Sequence, residues 1–339
     1  MTETQEETET RSTLRSRLES REVEVARLRR ELGLITRIQD MVVEPPRWTL
    51  RRSKKGTKQA TAVFQLTDTH FDEVVRPEEV DFINAYDRKI GETRLRRWAE
   101  KGTVLARDYV AGVQIDGLVI MATGDILSGD IHEELKQSNA DHLYSSAYHW
   151  IGQLHATISN LADEFGKVHI AAVVGNHGRS TRKPVFKGRA RGNIEWLMWS
   201  VLAREFAKDD RVTFQVSDSM DANVQLYDTR FVLTHGDQFR GGSGISGVLT
   251  PISLGQYRKG VRNAVTDHPM DIMVMGHFHQ YLQLPGLIVG GSMKGYDEYA
   301  YGHNLRPEIA QQSFFITTPE HGITMHAPII LQKRENEGW

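Results

Sequence analysis

From residue 59 onward the chain alternates short, mostly apolar runs with longer segments of helical period. The apolar runs are "AVFQL", "GLVIMAT", "VHIAAVV", "RFVLT" and "DIMVM". They are rich in β-branched residues and too short for helices, so each predicts a buried strand. The intervening stretches around 89–112, 133–164 and 193–208 predict helices. Strands separated by helices predict an α/β domain over 61–332. Its last part, "LIVGG" followed by "SFFITTPEHGITMHAPIIL", reads as strands with a hairpin turn at "PEHG".

The pattern before that domain is different. Residues 1–12 are charged and without apolar period, as expected of a disordered tail. Over 13–41 the spacing predicts an amphipathic helix, with Leu14, Leu18, Val25, Leu28, Leu32 and Ile35 at a and d positions of one heptad frame. About three heptads suit a short coiled coil that would make the protein a homo-oligomer, or a helix packed on its own domain. Two prolines then stop the helix. Residues 42–60 read as a basic linker carrying Arg47, Arg51, Arg52, Lys54, Lys55 and Lys58.

Composition narrows the function classes. The 339 residues carry a net charge of −2, so no global field points to nucleic acid or membrane. No apolar run is long enough to span a bilayer, and the acidic N-terminus is unlike a secretory signal, so a cytoplasmic location is expected. The chain has no cysteine, which excludes disulfides, thiolate metal sites and cysteine nucleophiles.

The chemistry sits where the apolar runs end. The first runs into Asp68 and His70, the second into Asp125, the third into Asn176 and His177, the fourth into His235, and the fifth into His277 and His279. Three of these endings follow a glycine that would let the chain turn. Strand ends of this kind are where α/β sheets bind ligands. Two histidines two apart on a strand share a face, so one strand end can offer two ligands. The set of two aspartates, one asparagine and several histidines suits transition metals, and it is too large for one tetrahedral zinc.

The order D-x-H, GD, GNH, H, GHxH resembles the calcineurin-like metallophosphoesterase superfamily. "GDILSGDIHEEL" and "THGDQFRGG" are similar to segments of phage-type phosphoesterases, which would place the protein in a host cytoplasm. The motif set is also similar to nuclease subunits of double-strand-break repair. The resemblance implies a four-layer α/β/β/α sandwich and two divalent ions, Mn²⁺ first, with Fe, Zn, Ni or Co as alternatives. Asp68, His70 and His279 would hold one ion; Asn176, His235 and His277 would hold the other, with Asp125 bridging. It implies phosphodiester hydrolysis by a metal-activated hydroxide, with His177 protonating the leaving oxygen or stabilising phosphoryl charge.

Two details depart from common members. No acid follows GNH, so Asp130 is the expected orienting carboxylate for His177, with His132 as accessory. The D-R-G of phosphoprotein phosphatases is absent. A strip from Arg179 to Arg191, including Arg182, Lys183, Lys187 and Arg189, carries no acid, and Arg179, Arg182 and Lys183 are its expected phosphate-binding residues. A nuclease on DNA or RNA is the first reading. A phosphodiesterase or phosphatase of cyclic or small nucleotides is the alternative, and a noncatalytic scaffold comes third.

Overall fold

The computed structural model describes residues 15–26, 46–50, 58–110, 112–240 and 247–337. Residues 15–26 are helical, in keeping with the start of the heptad pattern; the remainder of that pattern, from 27 to 41, lies outside the described residues. That N-terminal unit is separate from the unit formed by Pro45–Trp339.

The larger unit is built on two sheets. Six strands run in the order β11-β10-β1-β2-β3-β4, and five in the order β5-β6-β7-β9-β8. In the first sheet β1 (Gln59–Leu66), β2 (Gln114–Ala122), β3 (Val168–Ala172) and β4 (Val212–Val216) are parallel neighbours, while β10 (Gln311–Thr318) and β11 (Gly322–Ile330) add antiparallel to β1. In the second, β6 (Thr229–Thr234), β7 (Ile272–Met275) and β9 (Leu287–Val289) are parallel. There β5 (Asp221–Leu226) and β8 (Leu282–Leu284) pair antiparallel at the two edges.

Side-chain alternation divides the core into layers. On β1 and β2, Phe64, Leu66, Leu118 and Ile120 face one cluster that includes Trp98, Trp150 and Trp199. These tryptophans come from α1 (Arg88–Asp108), α2 (Leu143–Phe165) and α3 (Ile194–Glu205). Val63, Val119, Met121 and Ala171 point the other way, onto Val224, Phe231, Leu233, Val274 and Ile288 of the second sheet. The far face of that sheet, Met273, Met275, Leu287 and Val289, packs on Ile252 of α4 (Leu249–Val265). The result is the expected α/β/β/α sandwich. Strands buried on both faces are mostly apolar, which is why the five runs show little polar alternation, Gln65 and His169 being buried exceptions.

The parallel order has a direct consequence: the C-terminal ends of β1, β2 and β3 lie side by side at one edge of the first sheet. Those of β6 and β7 do so in the second. Backbone hydrogen bonds continue past the strands, from Asp68 N–H to the Gly124 carbonyl and from His70 N–H to that of Asp125, at 3.0 and 3.1 Å. The ligand-bearing turns are therefore clamped to each other as well as to their strands.

One buried group makes the fold sensitive to pH. His169 on β3 is 1% exposed; burial lowers its pKa to about 4, below the ordinary value of 6.5. Because the folded pKa is the lower one, the unfolded chain takes up the proton first, and stability falls as pH drops from about 6.5 towards 4. The loss amounts to about 3 kcal/mol. Urea unfolding of His169→Val should show a correspondingly shallower decline over that range than the unsubstituted protein, and parallel curves would contradict this assignment.

Candidate metal centre

All seven expected ligands converge. Carboxylate and imidazole atoms of Asp68, His70 and His279 lie within 4.8 Å of one another, as do those of His70, Asp125 and His177, and those of Asp125, His235 and His277. His70 and Asp125 each belong to two groups, so the three form one chain of donors. Asp68, His70, Asp125 and His235 are buried. The His70 and His279 Nε2 atoms are 3.0 Å apart, and His235 Nε2 lies 2.9 Å from Asp125 Oδ2 and 3.2 Å from Asn176 Oδ1.

These groups fit a pair of divalent cations. His235 Nδ1 is 2.8 Å from the Thr123 carbonyl, a bond that only an N–H can make. Its Nε2 lone pair then faces the oxygens of Asp125 and Asn176. Acceptors meeting acceptors in a buried place require a positive charge between them. In the bare protein a proton meets that demand. Burial pushes the His235 pKa down, but Asp125, aided by Asp68 and Asp237, outweighs this and holds it at about 10. Burial likewise works to raise Asp68, but His279 and His235 bring it to about 2. Asp125, which burial also works to raise, is held well below the ordinary carboxylate range, chiefly by His235 and His177.

The backbone is unusual at the ligands. Asp68, His70, Asp125, His277 and His279 all have φ between 44° and 71°, the left-handed region that disfavours residues with a Cβ. Expected turns at the preceding glycines are only partly found, since Gly124 alone among Gly124, Gly175 and Gly276 has positive φ. The other two are needed for close approach. A Cβ on Gly175 would strike the Asp125 carboxylate, and one on Gly276 would strike Thr67 and Asp68.

Two buried networks support the ligands, and neither was evident from spacing. Glu195 near the start of α3 is completely buried; its two oxygens accept from the N–H of Ile126 at 2.8 Å and of Gly175 at 2.9 Å. One carboxylate thus braces the turns that carry Asp125 and Asn176. Burial, with Asp125 nearby, raises its pKa to about 7. On the other side Glu73 Oε2 stands 3.3 Å from His70 Nδ1, and its Oε1 is 2.7 Å from the buried Lys294, which also pairs with Asp297. Glu73 thereby places a carboxylate beside the outer nitrogen of His70.

His177 lies between the two ligand groups, its Nε2 4.0 Å from Asp125 Oδ2. Its Nδ1 is 2.6 Å from the Ser128 carbonyl. That backbone oxygen orients the ring, so Asp130 is not the orienting group. His132 stands near, its ring centroid 6.0 Å from that of His177.

The basic strip is more structural than expected. Arg179 donates to the carbonyls of Asn176, Thr181 and Arg182 at 2.7, 3.0 and 3.2 Å, so its fork holds the loop and the Asn176 backbone. Three of its five N–H groups are committed in this way. Arg189 makes a two-bond pair with Asp237, and Arg191 another with Asp218. Among the described residues Arg182, Lys183 and Lys187 have no ion pair, and all three are exposed.

Strand order and ligand positions now coincide with the motif order read from the sequence. The two-sheet sandwich is the architecture that the resemblance to the calcineurin-like metallophosphoesterases implied. No family profile and no curated protein matches the chain. Solved structures similar to this chain include a conserved uncharacterised protein of Streptococcus pneumoniae described as a predicted phosphoesterase. It shows 12% identity over 79% of this chain and 97% of the other, with a TM-score of 0.29. Vacuolar Protein Sorting 29 of Cryptosporidium parvum gives 12%, 79%, 97% and 0.32. A dimetal phosphatase of Danio rerio gives 11%, 80%, 99% and 0.38.

Because Asp125 is the one carboxylate that shares a group with His70 on one side and with His235 and His277 on the other, Asp125→Asn is expected to lose both ions. Asn176→Ala should weaken mainly one. Metal analysis of the two purified variants checks this, and an Asp125→Asn protein that keeps two ions per chain would contradict it.

Proposed function

We propose that the chain is a binuclear-metal phosphoesterase that hydrolyses phosphodiester bonds of nucleic acid. The observation that carries the reading is the chain of overlapping donor groups linked through His70 and Asp125, with His177 at its middle. When bound, a pair of divalent ions, Mn²⁺ by preference, would activate water and offset charge on the phosphoryl oxygens. Asp68, His70 and His279 would hold one ion and Asn176, His235 and His277 the other, with Asp125 shared.

The residues around that pair have separate tasks. The Ser128 carbonyl fixes His177 through Nδ1, so Nε2 is the nitrogen that gives or takes a proton at the departing oxygen. Its side chain is 17% exposed, enough to meet a substrate from the open side. Glu195 and Glu73 stand behind ligands without touching substrate. Arg182, Lys183 and Lys187, on the loop that follows GNH, supply positive charge for phosphates other than the one cleaved. Their lack of ion-pair partners supports a polyanion over a single nucleotide. A complete donor set also speaks against a scaffold, which has no use for one. Among the described residues no helix is long and apolar enough to cross a membrane.

His177→Ala should keep its metals and lose about 10²–10⁴-fold in kcat on a chromogenic diester. Metal loss equal to that of His277→Ala would instead make it a ligand. For substrate class, replacing Arg182, Lys183 and Lys187 together by Ser should weaken single-stranded DNA binding. Every phosphate left without its cation lowers the slope of log K against log salt by about 0.7. An unchanged slope would favour the small-nucleotide alternative.

A further inference from the structure

The loop of residues 179–192 encloses a cavity of about 180 Å³ beside the ligand Asn176. Pockets that enclose whole small molecules run to about 300–1,000 Å³, so this one has room for one small group of a larger substrate rather than for a nucleoside. The charge of its lining has one sign. Arg179, Lys187 and Arg189 contribute to it, and no acidic residue does. Asp237 offsets Arg189 through two hydrogen bonds, at 2.8 and 2.6 Å. The other two cations have no such counter-charge. Arg179 donates to three carbonyls and to no carboxylate, which leaves two of its five N–H groups. Lys187 is exposed and has no ion pair among the described residues. A partly buried guanidinium and an unpaired ammonium around one small space favour an anion in it.

The segments next to the metal centre show the same bias. From Asn176 to Ile194 the chain has no acidic residue. A second segment follows Ser128, whose carbonyl holds His177, and brings His132 near that ring; it carries Asp130, Glu133 and Glu134 against Lys136. A substrate with a further negative group is therefore attracted over the first segment and repelled over the second. The attracting loop is also fixed in place. Arg179 ties it to the Asn176 carbonyl, the Arg189–Asp237 pair ties it to the segment just after His235, and the Asn193 amide donates to the Gly175 carbonyl at 2.9 Å. An anion in the cavity thus sits at a set distance from the metal centre.

We infer that this cavity is a second phosphate site, which takes one phosphate of the substrate while a neighbouring phosphate is cut at the metals. The inference rests on the phosphodiesterase reading and deepens it. A flanking phosphate, on one defined side of the scissile bond, becomes a condition of good cleavage. A diffuse basic surface would not tell the two sides apart.

The test follows cleavage of one internal diester in three thymidine dinucleotides with Mn²⁺, the products being separated by chromatography. TpT has no terminal phosphate, pTpT carries one at its 5′ end and TpTp one at its 3′ end. One of the two phosphorylated forms should exceed TpT in kcat/KM by about 5- to 150-fold, the span between an exposed ion pair and a charge-assisted hydrogen bond. Which form it is identifies the side on which the cavity lies. The gain should shrink as salt is raised. Lys187→Ser should remove most of it, and Lys187→Arg should retain it. TpTpT, whose additional phosphate is a diester, separates the sources. Cleavage as fast as that of the favoured dinucleotide identifies a polymer, cleavage no faster than that of TpT identifies a terminal phosphate, and either keeps the site. Equal cleavage of the three dinucleotides overturns the second phosphate site alone. So does an equal gain from both terminal phosphates, or a gain undiminished in Lys187→Ser. No cleavage of any of them overturns the phosphodiesterase reading and the second site with it.

Discussion

Buried acceptors that face one another need a positive charge between them, and the architecture of this protein follows from meeting that need at Asp125. Its carboxylate lies 2.9 Å from the His235 ring, accepts from the His177 backbone at 2.7 Å, and lies close to His70 and His277. Left without a cation, such an assembly would repel itself or gather protons. With cations held there, it would link the two sheets.

Parallel pairing of β1, β2 and β3, and of β6 and β7, brings five strand ends together, but at close quarters the backbone has to bend sharply. It does so at the ligands themselves, five of which adopt left-handed dihedrals. Such conformations cost about 1–3 kcal/mol each and persist only where the surroundings over-determine them. Here the surroundings are specific. Glu195 fixes two turns at once, Glu73 with Lys294 flanks His70, and glycines at 175 and 276 leave space for carboxylates that any side chain would displace.

Much of this was legible in the chain. Apolar runs buried on both faces announced strands, and polar residues placed at run ends pointed to candidate ligands, because a histidine or aspartate is costly to bury without a partner. Supporting groups were not legible, because the sequence shows a charge but not its depth. Glu195 lies in a helix where a carboxylate is ordinarily solvent-facing, and Lys294 follows a glycine-rich turn where a cation is ordinarily free. The same limit affected the basic strip. Arg179, Arg189 and Arg191 look like Arg182 and Lys183 in sequence, yet their partners are the protein's own carbonyls and the distant Asp218 and Asp237. Asp130 failed as the orienting group for His177 because a backbone carbonyl, invisible to any motif, already occupies that position.

The central claim is that seven side chains hold two cations around one shared carboxylate. Calorimetric titration of chelator-treated protein with Mn²⁺ tests it most directly, repeated at neutral pH in two buffers of different ionisation enthalpy. Two ions per chain are expected to bind, with release of the proton that His235 carries in the bare protein. The loaded protein should also melt at a higher temperature. Binding of one ion or none, or binding of two with neither proton release nor a change in melting temperature, would contradict the account.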